Sequence, residues 1–424
     1  MAWDWRFSFH RSHHGVTGHS GHQQTKICNQ IFNGTIYIFY SLADPTVFGG
    51  ARKNCLLAKN MILSTDFFWM RKIMQAVDIF SGAGGMSIGA ALAGINVKYA
   101  IENDLYAATT YRANHSETTV LNQDIREVML ADMPDIDANL PLILFGGPPC
   151  QGFSTSNQKT RTSDNENNWL FLEYMRFVKT LEPEWVVFEN VKGLKETEGG
   201  VFLRNIQDAF KKLKYKTSTF ILNASEYGVP QRRERLFVIG SRKGKAISEP
   251  DKKSKKIITV DEAIGDLPNL ENGANVNVLP YRTAPHSEFS LLMRGELESC
   301  ANHLITRNAP HILSRYPHVP QGGNWEDIPD ELMSNYADKS RCHTGIYHRL
   351  YSDKPSIVVG NFRKNMLIHP WQNRGLSIRE AARLQSFPDH YEFQGSIGFQ
   401  QQQVGNAVPP LLAEAVFQHI IMSI

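Results

Sequence analysis

One cysteine of this sequence is placed where it could act as a nucleophile. Cys150 lies in the segment GGPPCQGFS (residues 146–154), directly after an apolar run that predicts a buried strand. A lone cysteine is usually a small core residue, but the two stiff prolines before Cys150 and the flexible loop after it favour exposure of its side chain. Ligands of α/β sheets bind beyond the carboxyl ends of the strands. We therefore predict that Cys150 faces a binding cleft.

An acid and two arginines are expected at the same edge of the sheet. Glu189 follows the apolar residues 185–188, so burial should raise the pKa of its carboxyl and allow it to deliver a proton. The alternative is a structural acid bonded to a nearby loop. Arg233 and Arg235 belong to the segment QRRER (residues 231–235), and such a run of charge is usually a solvated face. Beside a cysteine and a glutamate, both become candidates for holding a base carbonyl or a phosphate.

A glycine-rich turn and two later acids suggest a cofactor edge. The segment DIFSGAGG (residues 78–85) lies between a predicted strand and a predicted helix, where missing side chains let a ligand approach the backbone and the helix N-terminus. Alone, the turn could serve a dinucleotide, a nucleotide or only tight packing. Glu102 ends the next strand, where such folds place a carboxylate for ribose hydroxyls, and Asp124 follows. The alternative is that both are ordinary strand-end acids.

These groups require an α/β domain that brings strand ends together. Short apolar runs alternate with segments whose apolar residues recur every three or four positions, as a doubly wound, mixed but mostly parallel sheet requires. The predicted strands are residues 76–80, 97–102, 142–145, 185–188, 217–222 and 236–240. The predicted helices are residues 86–93, 105–114, 170–180, 201–213 and 377–385, with a last helix after Pro410.

The pattern divides the chain into four segments. Residues 1–73 hold scattered histidines without a sustained period, which predicts a poorly ordered extension and not a metal site; the functional polypeptide is expected to begin between Met61 and Met74. Residues 74–264 form the main domain. Residues 265–376 form a smaller irregular domain, and residues 377–424 return to the main domain.

Composition excludes several classes of protein. The 45 Lys and Arg residues against 42 Asp and Glu give a net charge of only +3, so any nucleic-acid surface must be local. The five cysteines never form a CxxC pair, which argues against disulfide scaffolds and zinc ribbons and fits a reducing, cytoplasmic setting. Neither a signal peptide nor a membrane-spanning run is visible in the sequence.

Taken in order, the motifs DIFSGAGG, Glu102, Asp124, GGPPCQGFS, ENV, QRRER, REAARLQSFP and QVGNAVPP resemble the DNA cytosine-5 methyltransferase family over about residues 75–424. The resemblance implies the S-adenosylmethionine-dependent methyltransferase fold, S-adenosylmethionine as methyl donor and no metal. It also implies that the smaller domain recognises the target sequence, and that Arg379 and Arg383 organise the junction with it. The implied cofactor residues are Asp78, Phe80, Gly82, Gly84, Glu102, Asp124, Ile125, Pro148, Leu170 and Asn406.

The resemblance also assigns the chemistry. The Cys150 thiolate would add to carbon 6 of cytosine, because carbon 5 alone is a poor nucleophile. Glu189 would hydrogen-bond ring nitrogen 3 and the amino group, while Arg233 and Arg235 hold the carbonyl oxygen and a phosphate. The base must first be flipped out of the duplex.

Duplex DNA is the implied partner. The expected DNA contacts are Gln151, Ser154, Gln231, Arg349 and Arg363. A methylase of this type usually accompanies a restriction endonuclease that shares its target, and we expect a monomer that does not bind the endonuclease.

Three different functions compete with this interpretation. The first is a tRNA cytosine-5 methyltransferase, although the Cys-Phe-Thr tripeptide of that branch is missing here. The second is a catalytically silent DNA-binding relative, although Cys150, Glu189 and Arg233 are all present. The third is a nicotinamide oxidoreductase, which would leave PPCQGFS and QRRER unexplained.

Overall fold

The structure is a computed structural model and describes residues 26–32, 35–41, 74–149, 169–252, 256–334, 344–360, 362–364 and 366–424. The chain forms two compact units, residues 1–71 and residues 72–424. Among the described residues, every helix is too short or too polar to span a membrane.

The first unit contains a β-hairpin that the sequence analysis did not predict. Strands β1 (Lys26–Phe32) and β2 (Thr35–Ser41) pair antiparallel, with Phe32 opposite Thr35. In the sequence, the dipeptide Asn-Gly separates the two strands, and Asn-Gly is a strong sequence signal for a hairpin. The expectation that residues 1–73 are otherwise poorly ordered stays a prediction.

The second unit is built on a seven-stranded sheet with the order β5-β4-β3-β6-β7-β9-β8. Strand β9 runs antiparallel to both β7 and β8, and the other described strand pairs of this sheet are parallel. The doubly wound, mixed, mostly parallel sheet predicted from the sequence is therefore confirmed. Its strands are β3 (Gln75–Ile79), β4 (Asn96–Ile101), β5 (Thr119–Leu121), β6 (Leu142–Gly146), β7 (Trp185–Val191), β8 (Lys216–Asn223) and β9 (Glu234–Ser241).

The central strands are buried on both faces because alternate side chains enter two separate cores. In β6, Ile143 and Phe145 join the core on one face, whereas Leu142 and Leu144 join the core on the other. Parallel strands covered on both sides read as continuous apolar runs, which is why the sequence located them to within one or two residues at most ends. β5 was missed, because its three residues are too few for a recognisable pattern.

Helices cover both faces of the sheet. The structure contains α1 (Gly85–Leu92), α2 (Leu105–Asn114), α3 (Trp169–Leu181), α4 (Val201–Lys212), α5 (Val260–Ile264), α6 (Glu288–Arg294), α7 (Pro310–Leu313), α8 (Ile378–Leu384), α9 (Ile397–Asn406) and α10 (Pro410–Met422). Helices α3 and α4 pack on one face, and α1 and α10 pack on the other. Helix α9 was not predicted, because its glutamine run lacks an apolar period.

The C-terminal segment returns to the sheet through close helix packing. A methyl group on Gly89 of α1 would lie 2.5 Å from Ala413 Cβ of α10, and one on Gly85 would lie 2.3 Å from the Val408 carbonyl oxygen. Side chains at these two positions would force α1 and α10 apart. The capping box predicted for α8 is confirmed: Ser377 and Glu380 each bond the backbone of the other.

The region between β9 and α8 is mostly irregular. Its described β structure consists of the short antiparallel pair of β10 (Leu279–Pro280) and β11 (Ser299–Cys300) and of isolated bridges such as the one between Arg349 and Ile368. The buried Arg383 of α8 pairs with Asp266 at 3.1 Å and with Asp389 at 2.6 Å. This contact ties the start of the irregular region to the segment that follows it, which agrees with the organising role expected for Arg383.

Candidate active site

A cleft of about 1210 Å³ lies along the carboxyl ends of β3, β4, β6 and β7. Arg233 and Arg235 reach the same cleft although they stand at the beginning of a strand, because β9 is antiparallel and starts where its neighbours end. The predicted residues that line the cleft are Asp78, Phe80, Gly82, Glu102, Asp124, Ile125, Pro148, Leu170, Glu189, Arg233, Arg235 and Asn406.

The glycine turn and Glu102 form one hydrogen-bonded unit. The Gly82 amide donates to Glu102 Oε2 at 2.7 Å, and the Asp104 amide donates to Glu102 Oε1 at 2.7 Å. Burial raises the pKa of Glu102, and these backbone donors oppose that rise. A Cβ atom on Gly82 would meet nothing within 4 Å. The turn therefore presents open space beside a fixed carboxyl group, which suits a ligand that carries hydroxyl donors.

Two residues predicted to bind the cofactor lie mainly behind the turn. Asp78 is 1% exposed and accepts a hydrogen bond from Ser87 Oγ at 2.6 Å, and burial raises the pKa of its carboxyl well above the usual value. Gly84 lies outside the cleft lining and packs against the rings of Tyr111, His115 and Tyr391. Direct ligand contact is not supported for Gly84, which is covered by protein, whereas Asp78 contributes to the cleft lining although its carboxyl is bonded to Ser87.

Two arginines hold the part of the cleft that contains Asp124 and Ile125. Asp124 accepts from the Arg126 side chain at 2.9 Å and from the Arg126 amide at 3.0 Å, and these bonds lower the pKa of its carboxyl to about 2. The Ile125 carbonyl accepts from Arg176 at 2.6 Å. An ionised carboxylate beside the partly buried Leu170 can accept a hydrogen bond from an amino group of a flat ring.

The acid and arginine predicted to act on the substrate form an ion pair. Arg235 Nε lies 2.9 Å from Glu189 Oε1. Burial raises the pKa of Glu189, and the charges of Arg235 and then Arg233 lower it. A methyl group on Gly147 would lie 2.5 Å from Glu189 Oε2. The second glycine of GGPPCQGFS is thus required for the Glu189 carboxyl to reach the cleft.

Arg233 links the cleft to the C-terminal segment. It is 1% exposed, and its Nη2 donates to the carbonyls of Gly405 at 2.9 Å and Ala407 at 3.0 Å. Its Nε and Nη1 atoms are buried without a hydrogen-bond partner among the described residues. Arg233 therefore holds the end of α9, where the exposed cleft residue Asn406 lies.

The predicted nucleophile Cys150 and the predicted DNA contacts Gln151 and Ser154 lie outside the described residues. The segment that leads to them is described: Asn190 Nδ2 donates to the Pro148 carbonyl at 3.1 Å, and Pro149 is exposed in the cleft. Cys300, by contrast, is a buried free thiol, and burial raises its pKa to about 11. Cys300 is therefore unsuited to nucleophilic attack.

Two predicted DNA contacts are corrected by the structure. Gln231 is fully buried, and its amide donates to Leu384 O at 3.0 Å and accepts from the Val359 amide at 2.9 Å. Arg349 is 5% exposed, and its guanidinium donates to five acceptors. Neither side chain presents a group to DNA in this arrangement. Arg363, the remaining candidate, is exposed.

Other cleft residues were not found from the sequence. They are Ser81, Val358, Gly360, Phe399, Gln402 and Gln403, among others. Gln403 begins the QVGNAVPP motif and could have been found from it, whereas Val358 and Phe399 carry no recognisable signal. Among the described residues, no three His, Cys, Asp or Glu side chains cluster as metal ligands would.

One half of the cleft is suited to a nucleoside and the other half carries an acid–arginine pair, as a group-transfer enzyme with a donor site and an acceptor site requires. Residues 74–422 match the model of the C-5 cytosine-specific DNA methylase family. The chain belongs to this family and is a DNA cytosine-5 methyltransferase, as the motifs predicted.

Similar proteins agree with this assignment. The chain is 36% identical to the Type II methyltransferase M1.HphI of Haemophilus parahaemolyticus, over 85% of this chain and 94% of that protein. It is 35% identical to the Type II methyltransferase M.DdeI of Desulfomicrobium norvegicum, over 82% of this chain and 88% of that protein. A solved structure from E. coli, described as a DNA modification methyltransferase encoded within a prophage, superposes with a TM-score of 0.66 at 26% identity, over 82% of this chain and 98% of that one.

The ion pair of Glu189 makes a titration prediction. Arg235→Gln should raise the pKa of Glu189, because burial then disfavours the carboxylate with less opposing charge. Carbon NMR titration of side-chain carboxyls, with Glu189→Gln to assign the signal, measures the change. Lys192→Gln breaks only the exposed pair with Glu234 and should leave this pKa unchanged. A fall in the Glu189 pKa in Arg235→Gln would contradict the expected balance of charges.

The two arginines of the irregular region should respond in opposite ways to substitution. Arg349→Ala should lower the free energy of unfolding by about 2–4 kcal/mol, since several buried carbonyls lose their donor. Arg363→Ala should leave stability within about 0.5 kcal/mol and should weaken DNA binding, with a salt dependence shallower by about one unit. Denaturant unfolding and binding titrations over a range of salt concentrations test both. Unchanged stability of Arg349→Ala would count against its structural role.

Proposed function

We propose that this enzyme methylates carbon 5 of a cytosine within a specific duplex DNA sequence, using S-adenosylmethionine, base flipping and a covalent adduct of Cys150. The observation that carries the proposal is the Glu189–Arg235 pair, which lies in the cleft beside the Pro148–Pro149 segment that leads to Cys150. As in its Type II relatives, the enzyme would be the modification half of a restriction-modification system, acting as a monomer without the endonuclease bound.

The donor half of the cleft fits S-adenosylmethionine. When bound, the cofactor supplies an electrophilic methyl group. Glu102 is placed to accept hydrogen bonds from ribose hydroxyls, and ionised Asp124 to accept one from the adenine amino group. The apolar residues Phe80, Pro148 and Leu170 would cover the flat ring and the chain. Asn406, held through Arg233, would bond the amino-acid end.

The chain's own residues then activate the cytosine. The Cys150 thiolate forms a bond to carbon 6, and the electron pair of the carbon 5–carbon 6 double bond moves to carbon 5, which becomes nucleophilic. Glu189 hydrogen-bonds nitrogen 3 and the amino group and stabilises this adduct. Arg235 and Arg233 bind the carbonyl oxygen and a nearby phosphate. Methyl transfer to carbon 5 would leave S-adenosylhomocysteine, and water would then take the carbon 5 proton as the double bond reforms and the Cys150 thiolate leaves.

The acceptor half must receive an unstacked base. A cytosine within a duplex cannot place carbon 6 against a thiolate in a cleft, so flipping the base is required, at a cost of a few kcal/mol. Residues Gln151 and Ser154 of the segment after Cys150 would contact the DNA, and Arg363 would contact phosphate. Duplex DNA is preferred to tRNA because the matching family model and the Type II relatives are those of DNA methylases.

Bisulfite sequencing tests the function in one experiment. DNA from cells that express the protein should show protected cytosines at one recurrent sequence, and Cys150→Ser should show none while purified Cys150→Ser still binds duplex DNA. Glu182→Gln, which alters an exposed acid outside the cleft, is a matched control and should methylate normally. Labelled methyl groups that enter tRNA but not DNA would favour the RNA alternative.

A trapping experiment tests the adduct directly. Duplex DNA with 5-fluorocytosine at the target position should form a stable complex with the enzyme in the presence of S-adenosylmethionine. Fluorine replaces the carbon 5 hydrogen that must leave as a proton, so the adduct cannot release the thiolate. The complex should survive denaturing electrophoresis, and Cys150→Ser should not form it. Turnover of the unmodified duplex without any trapped complex would refute covalent catalysis.

A further inference from the structure

The glycine turn is supported from behind by four polar side chains, which we call the tyrosine brace: Asp78, Ser87, Tyr111 and Tyr391. Tyr111 donates to Ser87 Oγ at 2.6 Å, and Ser87 donates to Asp78 at 2.6 Å. Tyr391 donates to the carbonyl oxygen of Ala83, within the turn itself. All four residues are at most 1% exposed. The brace therefore fixes both the strand before the turn and the helix after it.

The turn needs such support because its backbone is unfavourable. The unfavourable residue is Phe80, which has a φ of 59°, whereas the positive φ angles of Gly82 and Gly84 are ordinary for glycine. A bulky residue in the left-handed region is an outlier, and such conformations persist only where the surrounding structure holds them. Phe80 and Gly82 line the cleft. Loss of support would let these residues relax away from the shape that faces the ligand.

The side chains of Tyr111 and Tyr391 contact the turn at Gly84. A methyl group at this position would lie 2.9 Å from the Tyr391 hydroxyl and 3.0 Å from a ring carbon of Tyr111. Tyr391 itself lies 308 residues further along the chain than Ala83, in the C-terminal segment that follows α8. The donor half of the cleft is thus completed by a residue that does not line it.

We propose that Tyr391 is a positioning residue for the cofactor: its hydroxyl holds the carbonyl of Ala83 and thereby keeps the glycine turn in the shape that binds S-adenosylmethionine. Tyr111 supports the same turn through Ser87 and Asp78. The inference rests on the proposed function, because it assumes that the turn binds this cofactor. The action of Tyr391 is indirect, so it should affect cofactor affinity and not the chemical step.

Tyr391→Phe removes only the hydroxyl and is the direct test. The full-length variant should bind S-adenosylhomocysteine about 3- to 10-fold more weakly by calorimetry, the range expected for loss of one hydrogen bond. Its KM for S-adenosylmethionine should rise to a similar extent, and its kcat at saturating cofactor should stay within about twofold of wild type. Equal affinity of variant and wild type would overturn the proposal.

Tyr227→Phe is the matched control. Tyr227 is also fully buried, and its hydroxyl also donates to a carbonyl, that of Pro250 at 3.1 Å, but it lies outside the cleft and the brace. Both variants should lose similar thermal stability, whereas only Tyr391→Phe should lose cofactor affinity. An equal loss of affinity in both would show general destabilisation and overturn the proposal.

A measurement without cofactor separates this inference from the proposed function. Amide hydrogen exchange in the turn should be faster in free Tyr391→Phe than in free wild type, and unchanged in Tyr227→Phe. Unchanged exchange would overturn the brace, whereas failure of wild-type protein to bind S-adenosylhomocysteine would overturn the function instead. If Tyr391→Phe does not fold, Tyr111→Phe tests the other limb and should give the same pattern of exchange and affinity.

Discussion

The half of the cleft that carries Glu189 and Arg235 depends on keeping a carboxyl group and a guanidinium group together with little water. Removing charge from water is costly unless each ion finds a partner, and Glu189 and Arg235 find each other across the β7–β9 pair. Residue 189 lies opposite residue 237, and residue 191 lies opposite residue 235. This register makes Glu189 and Arg235 diagonal neighbours on one face. Because β9 is antiparallel to β7, the first residues of β9 lie beside the last residues of β7.

The donor half relies on hydrogen bonds to a backbone instead of on paired charge. Glu102 receives two backbone amides, so it stays fixed before any ligand arrives, and Phe80 is held at an unfavourable φ by the surrounding packing. A site prepared in this way gives up less conformational freedom on binding. The two halves therefore use different physical means, but both obtain rigidity from residues far away in the sequence.

The sequence predicted most of the sheet and the main charged residues of the cleft, because buried parallel strands leave continuous apolar runs and their ends mark one edge. Glu102, Asp124, Glu189 and Arg233 all reach that edge. The errors concern polar side chains whose partners are distant. Nothing near Arg349 indicates that five acceptors surround its guanidinium, and nothing near Gln231 indicates the two backbone groups that its amide bridges. The local sequence pattern predicts which face of a strand or helix a residue lies on. Tertiary contacts determine whether its polar group is already hydrogen-bonded within the protein or is free to bind a ligand.

The corrected residues join the irregular region to the main domain. Gln231 joins the strand that follows it to Val359 and Leu384, and Arg383 joins Asp266 to Asp389. The first contact joins the main domain to Val359 of the irregular region, and the second joins Asp266, at the start of that region, to the segment that follows α8. The region also packs partly in a core of its own, which includes Tyr316, Tyr347 and Ile368, and partly in a core shared with α1 and α8. Because buried hydrogen bonds and ion pairs join this region to the main domain, substitutions of its exposed side chains should leave the positions of Glu189, Arg233 and Arg235 unchanged.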